Sequence, residues 1–158
     1  MSHGISSASA QSDAKHALHA AIETALADEK VDVCFGLRTV FTEFDWVEVN
    51  GTRSQIDPRN IGPKRQQDET ISLDVTVGSW RAGGDEEAEI LASDAAFGLL
   101  SKIQDHIRRN DITLGDTVLW CVPGDSESDG ATTEDDSGQG RVIVIAATFV
   151  CQHRIRTI

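Results

Sequence analysis

Basic residues are scarce. Lys and Arg number 14 against 26 Asp and Glu, a formal charge of −12 with a pI near 4.6. A chain this acidic lacks the cationic footprint that grips nucleic acid phosphates. It would also be repelled by an anionic membrane surface. No apolar run approaches the ~20 residues of a membrane-spanning helix. Cysteines are few and widely spaced (Cys34, Cys121, Cys151), which is not a disulfide framework or a paired zinc-ligand spacing. Residues 1–11 are Ser- and Ala-rich, without the basic start and apolar core of a secretory signal. These absences together imply a protein folded in the cytosol.

Catalytic motifs are also missing. Gly138-Gln139-Gly140 lacks the following Lys-Ser/Thr of a phosphate loop and leads into strand-like sequence. No G-x-S-x-G elbow occurs. Cys121 and Cys151 lie in apolar strand patterns and read as buried structural thiols, whereas Cys34 has the parity of an exposed one. His153 near Cys151 suggests a Cys–His pair, but sharing a strand face does not bring i and i+2 within hydrogen-bond reach. His16, His19 and Glu23 lie along one helix face, a pattern that a solvated surface supplies as readily as a metal site. The expectation is a protein without catalytic residues, cofactor or metal.

What the chain does contain is 158 residues with 39% apolar and 25% charged side chains, enough for one soluble domain with a real core. Residues 1–11 read as a flexible arm and residues 12–158 as a single domain. Ser12 and Asp13 offer N-caps for an amphipathic helix to about Ala27, with Leu18, Ile22, Ala25 and Leu26 at helical spacing. Alternation predicts strands at Val31–Phe35, Phe44–Val49, Ile71–Val77 and Thr117–Val122. Asp85 opens a long helix with Glu86, Glu87 and Glu89 in its first turns and Arg108 and Arg109 in its last, both matching the helix dipole. Leu91, Ala95, Leu99, Ile103 and Ile107, widened by Ala88, Ala92, Ala96 and Leu100, form its apolar stripe. The last strand, from Val142 to about Arg154, begins apolar on both faces, as a central strand does. The predicted fold class is α+β: a mostly antiparallel sheet with two main helices packed on it.

Two long segments read as loops of opposite sign. Residues 50–67 carry Arg53, Arg59, Lys64 and Arg65 among prolines and glycines. Residues 125–140 carry six acids and no base up to position 136: Asp125, Glu127, Asp129, Glu134, Asp135 and Asp136. Asp125, Glu127 and Asp129 alternate before Gly130 as in a calcium loop, but no helix enters and the twelfth position is Asp136 instead of Glu. These ten charged residues are the candidate interface. Trp46, Trp80 and Trp120 are candidates for core or for interface anchors.

Four stretches carry a family resemblance: Val31-Asp32-Val33-Cys34-Phe35-Gly36 after the Ala-rich helix, the strand from Asp68 to Val77, Ala95-Ala96-Phe97-Gly98-Leu99-Leu100, and Leu114-Gly115-Asp116-Thr117-Val118-Leu119-Trp120 followed by the final strand from Arg141 to Arg156. Over nearly its whole length the chain resembles tail terminator proteins of long-tailed bacteriophages. That resemblance implies a homo-oligomer, a hexameric ring that caps the tail tube, contacts the tail tube protein and the head-side connector protein, and lets DNA pass through its lumen unbound. It places the protein in the virion, at the head–tail junction, without a membrane partner. Six copies would carry 6 × −12 = −72, which suits a channel for a polyanion. The alternatives are another head–tail joining or tail tube subunit, or a metal- or small-ligand-binding domain using the acidic segment.

Overall fold

The computed structural model describes residues 3–135 and 138–157. The elements run β1 (Ile5–Ser6), α1 (Gln11–Ala25), β2 (Asp32–Phe35), β3 (Asp45–Ile56), a 3-10 turn (Pro63–Arg65), β4 (Gln67–Ala82), α2 (Glu86–Asn110), β5 (Trp120–Asp135) and β6 (Gly138–Ile155). All six strands join one sheet, in which β6 pairs with β4 on one side and with β5 and β1 on the other, and β3 and then β2 extend beyond β4.

The expectation of an α+β fold on a mostly antiparallel sheet is overturned. Strands hold 44% of the described residues and helices, the 3-10 turn included, 28%, and the sheet is mixed and curled into a half-barrel. β1 runs parallel to β6 and β2 parallel to β3. Alternating hydrophobicity reports which face a strand buries, not the direction of its neighbour, so these parallel edges left no trace in the pattern.

The two charged loops are largely strand as well. Asn50–Ile56 belongs to β3 beyond a bulge at Asn50–Gly51, so the turn shrinks to residues 57–66. The acidic segment is β5, paired with β6 from Ser126↔Ala147 to Asp135↔Gly138 after a bulge at Pro123–Ser126. It shows no apolar alternation because one edge and much of its surface meet water; its pairing is imposed by the long apolar strand beside it. The arm is built in: β1 pairs with β6, and the Gly4 amide donates to Asp116 O at 2.9 Å.

Both helices cover one face of the sheet. Val47, Val49, Ile71, Leu73, Val75, Val77, Ile143, Ile145 and Phe149 are buried there against Leu18 and Ile22 of α1 and Ala92, Ala96, Leu99, Leu100, Ile103 and Ile107 of α2. α2 begins as expected, with the Asp85 carboxylate accepting from the Ala88 amide at 3.1 Å. Leu91, expected in its stripe, is instead 53% exposed. α1 starts at Gln11, two residues before its expected start, with Ala10 at the N-cap and no side-chain cap.

The opposite face, called outer below, carries the tryptophans. Trp46 lies over Gly78 and Trp80 over Gly140; a Cβ at either glycine would collide with the indole. Trp46 also stacks on Phe41, and Trp80 donates to Thr133 Oγ1 at 2.8 Å. Trp120 is 39% exposed, and none of the three belongs to the buried core. Gly78→Val therefore displaces Trp46, and we expect a loss of about 1–3 kcal/mol. Urea unfolding followed by far-ultraviolet circular dichroism measures it.

Candidate assembly surface and a buried carboxylate cluster

The charged residues singled out in the sequence are distributed, not gathered. Gln67 pairs with Ile155 at one end of the β4–β6 ladder and Ala82 with Gly140 at the other. The 57–66 turn leaves the first end and the β5–β6 hairpin the second. Fifteen steps at ~3.3 Å each put these ends roughly 50 Å apart. At the first end, Arg59, Lys64 and Arg65 outnumber Asp57, a net charge of 3 − 1 = +2. Lys64 and Arg65 are exposed and both take left-handed backbone, φ 57° and 56°, which L side chains rarely adopt. A polar depression of about 980 Å³ beside them is lined by Gln55, Arg59, Thr70 and Gln152. Arg59 sits 3.3 Å from Asp57, and Arg53, on β3, is 3.5 Å from Asp74.

Along β5, Asp125, Glu127 and Asp129 are exposed level with the middle of the ladder, Glu134 is exposed at its other end, Asp135 closes the strand, and Asp136 lies outside the described residues. Their spacing along an extended strand differs from a calcium loop, which wraps its ligands round one ion. Among the described residues no group of three or more His, Cys, Asp or Glu is placed to hold a metal. His16 and His19 instead pack on Phe35, with ring centroids 4.6 and 5.6 Å away, and His19 Nδ1 is 3.0 Å from Glu23.

A second constellation joins distant parts of the chain. Glu69 and His153 are cross-strand neighbours and both are fully buried. The Glu69 carboxylate accepts from Ser9 Oγ at 2.5 Å, from the Ala10 amide at 3.1 Å, from Ser54 Oγ and from His153 Nδ1 at 2.9 Å. Burial opposes the charge, but the donors from Ser54, Ser9, Ala10 and His153 outweigh it and hold the carboxyl below its ordinary range. The carboxylate also sits at the N-terminus of α1, where the helix dipole favours it. This explains the start of that helix without a cap of its own.

His153 Nε2 lies 2.9 Å from Ser6 Oγ. Hydroxyl, imidazole and carboxylate thus follow the order that activates a nucleophile. Ser6 Oγ, however, donates to Ala8 O at 2.7 Å, and Ser6 does not line the depressions at the two charged ends. The arrangement fastens the arm to the sheet. It also answers the Cys–His suggestion, since His153 is committed to Glu69 and Ser6. Sequence reading missed Glu69; the signal was a Glu in a strand at a position whose parity is otherwise apolar (Ile71, Leu73, Val75).

The cysteines are all buried. Cys34, expected at the surface, is covered by the 36–44 segment, which folds back over the outer face of β2. The amides of Thr42 and Glu43 donate to Asp32 at 2.7 and 2.9 Å, and the Arg38 amide donates to Glu48 at 3.0 Å. Burial opposes ionisation of Asp32 too, but the Glu43 amide, the Thr42 hydroxyl and amide, and Arg38 together lower its pKa. Burial raises that of the Cys34 thiol. Cys121 and Cys151 face each other across β5 and β6, and their mutual hydrogen bond, followed by burial, pushes the Cys121 thiol strongly up.

Compared with known proteins, the chain matches no protein-family model and no curated protein.

A carboxyl lowered in the folded state contributes stability above its ordinary value of 4.5 and loses that contribution as pH falls through the folded value. Stability should therefore fall steeply below about pH 4.5. Glu69→Gln should remove much of that slope and cost about 3 kcal/mol at neutral pH. Urea titrations between pH 3 and 7 test both.

Proposed function

We propose that this chain is a structural subunit of a head-to-tail ring, and that the ring is the tail terminator of a long-tailed bacteriophage. In this reading it stops growth of the tail tube protein, presents a face to the head-side connector protein, and works in the virion after assembly in the host cytoplasm. One observation carries the ring: a single sheet bears a cationic turn at one end, between β3 and β4, and an acidic strand, β5, along its opposite edge. A surface complementary to a different part of itself joins copies heterologously, and a heterologous contact with suitable rotation closes into a ring. The sequence resemblance supplies the terminator. The net charge of −12 per copy suits a lumen through which DNA slides. No helix among the described residues is long and apolar enough to cross a membrane.

The exposed apolar residues of the 36–44 segment supply a further contact. Leu37, Val40 and Phe44 are 84%, 73% and 62% exposed, and neighbouring Phe35 is 46% exposed. Clustered exposure of large apolar side chains marks interaction surfaces. This patch adjoins β2 and suits a protein partner of the ring.

Replacing Arg59, Lys64 and Arg65 together by Glu should leave the thermal midpoint of the monomer nearly unchanged, because all three are exposed. Three rim charges at about 0.5 kcal/mol each weaken assembly by about tenfold. Sedimentation velocity reads ring formation. Electron microscopy of particles assembled with the variant reads tail length, and tubes of uncontrolled length are expected. Unchanged rings and normal tails would refute the reading.

A further inference from the structure

We infer that copies of this chain join by antiparallel pairing of β5 of one copy with the free half of β3 of the next. The inference deepens the ring reading by naming its contact, and it rests on the two edges of the sheet.

In an antiparallel ladder, residues turn their backbone groups alternately toward the partner and away from it. The Leu119 amide donates to Gln152 O, so the even-numbered residues of β6 face β5. Their partners Glu127 and Asp129 face β6, which leaves Ser126, Ser128 and Thr132 turned outward. Their amides have no partner among the described residues. On the other side of the sheet, the Trp80 amide donates to Phe44 O, so the even-numbered residues of β4 face β3. Arg53 and Gln55 then face β4, and Thr52, Ser54 and Ile56 turn outward. β2 covers β3 only from Trp46 to Val49. From Asn50 onward no strand pairs with this edge of β3 among the described residues; the side chains of Thr52 and Ser54 are held by Gln11 and Glu69.

Strand directions fit. β5 and β4 both run antiparallel to β6, and β3 runs antiparallel to β4. β5 and β3 are therefore opposed in direction. A copy shifted sideways without being turned over meets its neighbour in an antiparallel pair with like faces continuous. Side chains fit as well. Arg53 and Gln55 lie on the outer face of β3, and Glu127 and Asp129 lie on the outer face of β5, so an unlike-charge cross-strand pair forms. Two copies of β5 meeting each other would set acid against acid, which excludes the two-fold arrangement. An exposed edge lined with charge is otherwise a guard against pairing; here the charge selects the partner.

β2 blocks the half of β3 that lies level with the acidic part of β5. The neighbour must join with a stagger of about six residues, roughly 20 Å, which sets Arg53 opposite Asp129 and Gln55 opposite Glu127. A stagger at every junction tilts the strands, as closure of a β-cylinder requires.

The test uses the full chain in sedimentation velocity and native mass spectrometry. The wild type should form a concentration-dependent oligomer. Ser128→Pro removes one outward amide and leaves the β5–β6 ladder intact; it should raise the concentration needed for assembly about tenfold or more at an unchanged thermal midpoint. Arg53→Glu should weaken assembly in the same direction, and combining it with Glu127→Arg and Asp129→Lys in one chain should restore it. The charge variants keep the test decisive if the proline variant misfolds. An oligomer unmoved by Ser128→Pro and Arg53→Glu would overturn the pairing while leaving a ring in place. A wild-type chain still monomeric at millimolar concentration would overturn it too, and tail-length assays would then judge the terminator reading separately.

Discussion

All 16 residues of β4 pair with β6, from Gln67↔Ile155 to Ala82↔Gly140, without a register break. This continuous ladder fixes the rest of the molecule. Because side chains alternate, one register decision assigns Ile71, Leu73, Val75 and Val77 to the helix-covered face together with Ile145, Ala147, Phe149 and Cys151. A slip of one residue would turn that whole set to water. The same register places Glu69 directly opposite His153 and brings Trp80 beside Gly140 at the far end. The ends of the ladder hold the two features of most interest, the buried carboxylate and the acidic hairpin.

The buried carboxylate ties together elements with little other reason to meet. Ser9 and Ala10 come from the arm, Ser54 from β3 and His153 from the last strand. A buried charge costs several kcal/mol unless it is fully hydrogen-bonded. Four donors meet that requirement, and all four must be in place together. The N-terminal segment is therefore a working part of the fold, and its position depends on residues more than a hundred positions away.

Much of this was legible in the residues. The spacing of α2, its acidic start and its basic end gave its boundaries almost to the residue. The two-sided apolar pattern of Val142–Val150 announced a strand paired on both sides, although its outer face is only partly covered. What stayed hidden shares one cause. β5 carries Asp, Glu, Ser, Gly and Thr where strand propensity favours branched and aromatic residues, and only its pairing with β6 makes it a strand. The second half of β3 is similar: Arg53, Ser54 and Gln55 are strand because Thr70–Ser72 lie beside them. The reading of Cys34 failed for a related reason. Its parity placed it on the outer face, correctly, but the fold-back of residues 36–44 over that face is tertiary information. The opposite signs of the two charged segments were plain from composition, whereas their placement on opposite edges of one sheet came only with the topology.

The three tryptophans share a consequence of where they sit. Trp46 and Trp80 rest on glycines of the outer face and Trp120 lies on the same face at the opposite margin, while the opposite side of the sheet, beneath the helices, holds none. With no tyrosine in the chain, near-ultraviolet emission comes from this one side of the molecule. The protein thus carries its own optical reporter: whatever settles on that side changes the solvent around an indole, and a titration in a fluorimeter registers the event without a label.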